Sequence, residues 1–403
     1  MEKPKIWCPL AFNGILSVLE GRYHTCCWAS KNAEDPESGQ ILSRETHTIH
    51  EAFDNKFFQQ IRDNLKNGIR DSNCNRCWQE EDAGVESLRI SESKRLSELE
   101  KNFNGVELKY VDIALGNQCN LRCRSCNPVD SSLWAREYFD TEYLAPKEKF
   151  IHFKKKHSFL ESPDSKFINN FIDVALPKIT HLTFFGGEPF LMKSTWKILK
   201  AAIEKNVNQN INLAFDTNCT IWDKEKADLL GKFKEVTIRL SIDDIENRFE
   251  YLRYPAKWIT VLSNFDQIKK WQEKSFHNRK ILINLTVSAY NIWYLPEIIN
   301  FLEKKNLDIL INPVIEPESI NIQNIPQEVK KDILKKLRSY NFKDDKQIQI
   351  NKLINYYLAL PDRDKHWTIF AQEVKKRDKY RNQSFHKVFY EFYKIIQLHN
   401  IDI

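Results

Sequence analysis

From residue 107 to residue 316 the chain alternates apolar runs with stretches of helical spacing, and this limits the fold more than any other feature of the 403-residue sequence. Residues 108–115, 181–185, 211–216, 236–242, 281–288 and 307–314 read as strands, most with few polar interruptions, as strands buried in a parallel sheet are. Between them, 195–204, 224–233, 258–273 and 294–304 space their apolar residues as helices do. Strands joined by helical crossovers make an α/β fold with a parallel sheet. The expectation is a partial (β/α)6 TIM-like barrel over 105–320, with its functional residues at the C-terminal strand ends.

Residues 1–95 hold five of the nine cysteines and read as a small separate unit. The segment 15–19, the turn Glu20-Gly21-Arg22 and the segment 23–28 predict a β-hairpin. Phe53, Phe57, Ile61 and Leu65 predict an amphipathic helix over 50–67 that stops at Gly68, with Cys74 and Cys77 in the loop beyond. Residues 129–178, with Trp134, Tyr138, Phe139 and Tyr143, predict a helical insertion over one barrel mouth, serving either packing or substrate contact. Residues 321–403 read as a helical C-terminal extension.

Composition narrows the function classes. The net charge of +6 is small for this length, and the run Lys154-Lys155-Lys156 reads as a solvated face, so no nucleic-acid partner is expected. No apolar run reaches the length of a membrane span, and the N-terminus lacks the parts of a signal peptide. The expected location is the cytoplasm, where cysteines are reduced and grouped cysteines point to metal ligation.

Cys119, Cys123 and Cys126 directly follow the first predicted strand. Their spacing lets three thiolates converge from one loop, whereas structural zinc and most iron–sulfur clusters take four protein ligands. Three ligands leave one iron of a cluster open to another molecule. After the second strand comes Gly186-Gly187-Glu188-Pro189. Glycines there admit a ligand close to the backbone, and a carboxylate can bind an ammonium.

Together these segments resemble the signature of radical S-adenosylmethionine (SAM) enzymes. The resemblance implies a [4Fe–4S] cluster on Cys119, Cys123 and Cys126, with its open iron chelated by SAM. It implies SAM contacts at Gly186, Gly187, Glu188 and Pro189, and at other strand ends. Asn218 lies in Asp216-Thr217-Asn218-Cys219, where Cys219 stands in place of the family's glycine. Ser241 and Asp243 resemble the family's Ser-x-Asp element, Arg253 is a candidate for the SAM carboxylate, and Asn291 lies near the adenosine. Each of these strand-end residues has a turn or capping role as its alternative. The residue before the third cysteine is often aromatic in the family; here it is Ser125, and adenine packing is left unassigned.

Cys8, Gly21, Cys26 and the pair Cys74-x2-Cys77 resemble the twitch half of a SPASM/twitch extension, placed before the barrel. The resemblance implies an auxiliary [4Fe–4S] cluster on Cys8, Cys26, Cys74 and Cys77, with Cys27 able to replace Cys26, to pack in the core or to act near substrate. Structural zinc is the alternative occupant. The segment Arg377-Asp378-Lys379-Tyr380-Arg381-Asn382-Gln383-Ser384-Phe385 also resembles proteins with an N-terminal twitch unit.

The implied chemistry is one-electron cleavage of SAM to a 5′-deoxyadenosyl radical that takes hydrogen from a substrate carbon. SPASM/twitch enzymes commonly modify ribosomally made peptides, and the N-terminal twitch order resembles tyrosine spliceases, which excise tyramine. The expected partners are a precursor peptide, a separate winged-helix leader-binding protein and a flavodoxin or ferredoxin electron donor. Modification of a small molecule, sugar or nucleotide is the second reading, and a non-catalytic zinc-binding interaction protein the third. No catalytic acid, base or radical donor is assigned; Cys27 and Cys219 are the thiols left over.

Overall fold

The computed structural model describes residues 4–103, 105–142, 165–275, 278–361 and 364–403. The Lys154-Lys155-Lys156 run, Tyr143 and the Phe139 side chain lie outside the described residues.

Eight strands form one sheet: β1 (Gly14–Ser17), β2 (Tyr23–His24), β3 (Tyr110–Ala114), β4 (His181–Phe185), β5 (Asn212–Thr217), β6 (Glu235–Ser241), β7 (Arg279–Val287) and β8 (Asp308–Pro313). Their order is β2-β1-β3-β4-β5-β6-β7-β8. The β1–β2 pair is antiparallel, and β1 then joins β3 in parallel, as do all later neighbours. The six strands expected from sequence are all present. The hairpin is not confined to a separate N-terminal unit, because Leu16 pairs with Asp112 of β3.

The strands are two-faced rather than wholly apolar. Val111, Ile113, Leu182, Phe184, Leu213, Phe215, Ile238, Leu240, Ile283 and Ile309 are buried on one face. They share a core with Ile198, Leu199, Val261, Phe265, Ile298 and Leu302 of the crossover helices Lys193–Glu204, Trp258–Glu273 and Leu295–Glu303. The other face carries Asp112, Thr183, Asp216, Arg239, Asn284 and Asn312, whose registers run from strand to strand. This face is the barrel lumen. Asp216 and Arg239 form an ion pair at 2.8 Å and keep 31% and 22% of their side-chain surface accessible in mid-sheet. A packed apolar interior would hide them, so the lumen is an open polar space.

The N-terminal residues differ from expectation in three places. The second hairpin strand is only Tyr23–His24, and the chain leaves the sheet before Cys26. The helix expected over 50–67 is two helices, Ile49–Phe53 and Lys56–Lys66. The break falls at Asp54, where Asn55 turns out of helical geometry and its side chain caps Phe57 N–H. Cys74 closes a 3-10 turn, Ser72–Cys74, and Cys77 lies in the first turn of the helix Asn75–Asp82 rather than in a loop.

A second core gathers Cys8, Leu10, Phe12, Ile61, Leu65, Cys77, Trp78 and Leu96 around Tyr110 of β3. The insertion supplies the helix Ser132–Glu142, and the C-terminal residues supply Gln327–Ser339, Asp364–Arg381 and Tyr390–Leu398 among others. No helix among the described residues is long and apolar enough to cross a membrane.

Candidate active site

The loop after β3 carries Cys119, Cys123 and Cys126. Leu121 N–H donates to Cys119 Sγ at 3.4 Å, and Arg253 Nη1 donates to Cys123 Sγ at 3.8 Å. Trp134 Nε1 holds the Cys123 carbonyl at 2.7 Å. Burial pushes the Cys119 thiol up to about 12, with Cys123 adding to the shift. Burial also raises Cys123, and raises Cys126 well above the ordinary range, with Asp130, Cys123 and Cys119 adding to it. The three sulfurs therefore feel one another, and a bound metal would have to displace their protons.

The loop packs on the turn after β4, where the two glycines are needed. A Cβ on Gly187 would lie 2.4 Å from the Gln118 carbonyl oxygen, and one on Gly186, whose φ is +86°, would lie 3.0 Å from Ala114. Only bare backbone lets these two strand ends meet so closely.

Glu188 is fully buried. Its Oε1 accepts from Phe190 N–H at 3.1 Å and Thr217 Oγ1 at 2.8 Å, and its Oε2 accepts from Asn218 N–H at 2.7 Å. Burial raises its carboxyl to about 7, against the pull of these bonds. Glu188 thus ties the β4 turn to the end of β5. Pro189 opens the short 3-10 helix that follows.

The other candidate residues lie at neighbouring strand ends. Asn218 donates through Nδ2 to Asn120 Oδ1 at 2.9 Å, beside Cys119. Ser241 ends β6. Asp243 Oδ2 is 2.8 Å from Arg253 Nε. Asn291 is spent on the backbone, donating to the carbonyls of Asp243 at 2.6 Å and Thr286 at 2.8 Å and accepting from Ser288 N–H at 2.7 Å. Cys219 is fully buried, has φ +62° and points its thiol at the Val261 carbonyl, 3.7 Å away in the core. The positive φ explains why glycine suits that position.

Cys8 and Cys77 are buried in the second core, and Cys26 and Cys74 pack against it. Burial raises Cys74 beyond the ordinary range, and Cys8 and Cys77 raise it further. Burial also raises Cys26, followed by Cys27, Cys8 and then Cys74. Cys27 is exposed, and Asp112, Glu92 and Arg76 act on it as well as its neighbour Cys26. Cys8, Cys26, Cys74 and Cys77 thus lie in or against one core, with Cys27 adjoining Cys26.

Among the described residues, no three His, Cys, Asp or Glu side chains close tightly enough to hold a single metal ion. The donor chemistry fits an iron–sulfur cluster at the first site: three adjacent thiols, N–H donors on two of the sulfurs, and a glycine turn beside them. No sequence pattern marks the side chains that brace this loop. Arg124 reaches Asp378 at 2.6 Å, and Glu137 of the insertion helix takes Arg381 at 2.9 Å and Arg122 at 3.3 Å. The lumen residues Asp112 and Arg239 were also missed, although charged residues inside otherwise apolar strands were the available signal.

Residues 113–302 match the family model described as the Radical SAM superfamily. That stretch, a little under half of the chain, is therefore similar to a radical SAM domain. An "Uncharacterized protein" of Archaeoglobus fulgidus is 28% identical over 137 residues, covering 34% of this chain and 30% of that protein. Among solved structures, native anSMEcpe with bound AdoMet is similar at 15% identity and TM-score 0.38, over 56% of this chain and 62% of that one. Streptococcus suis SuiB bound to precursor peptide SuiA is similar at 13% identity and TM-score 0.37, over 66% and 59%. Escherichia coli coproporphyrinogen III oxidase (HemN), a radical SAM enzyme, is similar at 12% identity and TM-score 0.32, over 53% and 45%. The chain spans 30% of the curated relative's length and less than two thirds of each of these solved chains.

Proposed function

We propose that this protein is a radical SAM enzyme of the cytoplasm that modifies a ribosomally made peptide, with a [4Fe–4S] cluster on Cys119, Cys123 and Cys126 and an auxiliary one on Cys8, Cys26, Cys74 and Cys77. The observation that carries the reading is the three-thiol loop seated on the Gly186-Gly187 turn. The SAM-binding cluster, when present, supplies the electron that cleaves SAM.

The chain's own residues do the rest. Gly186 and Gly187 let the cysteine loop seat against the β4 turn, and Glu188 offers the SAM ammonium a carboxylate. Asn218, Ser241, Asp243, Arg253 and Asn291 shape the remaining strand ends. Asp243 neutralises Arg253, so a SAM carboxylate has to share that guanidinium. The polar lumen below, with Asp112, Asp216, Arg239, Asn284 and Asn312, suits a substrate rich in hydrogen-bonding groups.

The peptide substrate, and the narrower reading as a tyrosine splicease, rest on the resemblance of the N-terminal cysteine unit. A separate leader-binding protein and a flavodoxin or ferredoxin donor follow from the same reading. The polar lumen equally suits a sugar or nucleotide, which keeps the small-molecule reading as the second one.

Iron and sulfide analysis after anaerobic reconstitution tests the proposal. The wild type is expected to bind about eight irons, and a Cys119/Cys123/Cys126→Ala variant about four. About four falling to none, with zinc retained, would remove the auxiliary cluster. A wild type without iron would end the radical SAM reading. Incubation with SAM, reductant and either precursor peptides or nucleotide sugars then separates the two substrate classes.

A further inference from the structure

The backbone between the first and third thiols lies along the segment Leu252–Tyr254. Arg122 N–H donates to the Tyr254 carbonyl at 2.8 Å, and Arg124 N–H to the Leu252 carbonyl at 2.7 Å. This leaves the Arg124 side chain pointing away from the loop and 2% exposed. Its Nη2 donates to Asp378 Oδ1 at 2.6 Å and to Gln383 Oε1 at 3.0 Å. Its guanidinium lies 4.1 Å above the Tyr251 ring and 5.8 Å from that of Tyr290.

Asp378 stands near the end of the C-terminal helix Asp364–Arg381. Besides Arg124, it accepts from Tyr251 Oη at 2.6 Å and from Phe385 N–H at 2.6 Å. One carboxylate thus joins the cysteine loop, the segment after β6 and the C-terminal turn. A buried ion pair contributes little net stability over an apolar pair of the same shape, yet breaking it by removing one partner is strongly destabilising. It is well suited to fixing one arrangement. What it fixes is the stretch holding Cys123, whose sulfur takes its N–H donor from Arg253, two residues after Tyr251.

We propose that Asp378 is a positioning residue for the radical SAM cluster: through Arg124 and Tyr251 it sets the Cys123–Cys126 segment against Arg253. The proposal rests on Cys119, Cys123 and Cys126 holding that cluster. Donors to cluster sulfurs raise the reduction potential, so a loosened loop makes the cluster harder to reduce.

The test uses reconstituted full-length protein: wild type, Asp378→Ala, Asp378→Asn, Arg124→Lys and, as a control for simple destabilisation, Ile333→Val in the helix Gln327–Ser339. Asp378→Asn keeps the side-chain shape but cannot accept from Arg124, Tyr251 and Phe385 all at once. The readouts are the midpoint potential and EPR spectrum of the SAM-sensitive cluster, and SAM cleavage by dithionite without substrate. Asp378→Ala is expected to lower the midpoint and slow cleavage at least tenfold. Asp378→Asn and Arg124→Lys should fall between it and wild type, with the iron content of all three preserved and Ile333→Val unchanged. Wild-type midpoint and spectrum in the folded Asp378→Asn and Arg124→Lys proteins would overturn the proposal, and so would equal shifts in Ile333→Val. Absence of any SAM-sensitive signal in the wild type would overturn the radical SAM reading itself, and this proposal with it.

Discussion

The two cysteine sites are built on opposite plans. All four thiols of the N-terminal site come from the first 77 residues and share one small core. The three thiols after β3 come from a single loop, but that loop is braced by Trp134 just downstream and, from far along the chain, by Arg253 and by Asp378 at a separation of 254 residues from Arg124. On the proposed assignment the first plan would close a cluster with four thiols, and the second would leave one coordination position free beside the barrel strand ends. Damage to the first should therefore stay local, whereas damage to the second should reach SAM.

Adjacent thiols give the strongest way to break this comparison. Cys26 feels Cys27, Cys8 and Cys74, whereas exposed Cys27 feels Asp112 and Glu92. Cys26→Ala is expected to lower bound iron by up to about four per chain while leaving SAM-sensitive EPR intact. Cys27→Ala is expected to lose none. Iron loss in Cys27→Ala alone would exchange the two roles and turn the N-terminal unit around relative to β3.

A pair of glycines gives the next largest contrast. Alanine at Gly187 meets the Gln118 carbonyl at 2.4 Å, whereas alanine at Gly84 meets nothing within 4 Å, although φ there is +71°. Both changes should cost about 1–3 kcal/mol of stability, the first through overpacking and the second through backbone strain. Only Gly187→Ala should weaken SAM binding, by tenfold or more in calorimetric titration. Equal SAM affinities for the two variants would separate the glycine turn from the SAM site.

What could be read from sequence follows the same divide between local and distant. The apolar runs located β3 to β8 within about two residues, because burial of one sheet face dictates them locally. The break at Asn55 was readable too, as a helix N-cap signal inside an apolar period. The pairing of Leu16 with Asp112 was not: β1 is four residues long, and no local pattern names its partner strand. Nor did the sequence distinguish Cys26 from Cys27, since the chain leaves the sheet at His24 and strand alternation no longer applies. At the candidate SAM site, the three-cysteine loop and the glycine turn were legible because the motif sets their spacing. The Arg124–Asp378 brace was not, since either residue alone reads as an ordinary surface charge.

The smallest expected effect concerns the carboxylate shared by both descriptions of the SAM site. Burial lifts Glu188 to about 7, from an ordinary value of 4.5. Between these values the folded chain holds a proton that the unfolded chain has released, so folding stability contributed at low pH is lost as pH rises toward 7, by at most about 3 kcal/mol. A SAM ammonium needs the ionised form. Below pH 7 part of the binding energy goes into releasing that proton, and SAM affinity should rise about eightfold between pH 5.5 and 6.5 and level off only above pH 7. Glu188→Gln should bind SAM more weakly at pH 7 and show a flat profile over the same range. A wild-type profile as flat as that of Glu188→Gln would leave Glu188 with only its internal work, joining the β4 turn to β5 through Phe190, Thr217 and Asn218.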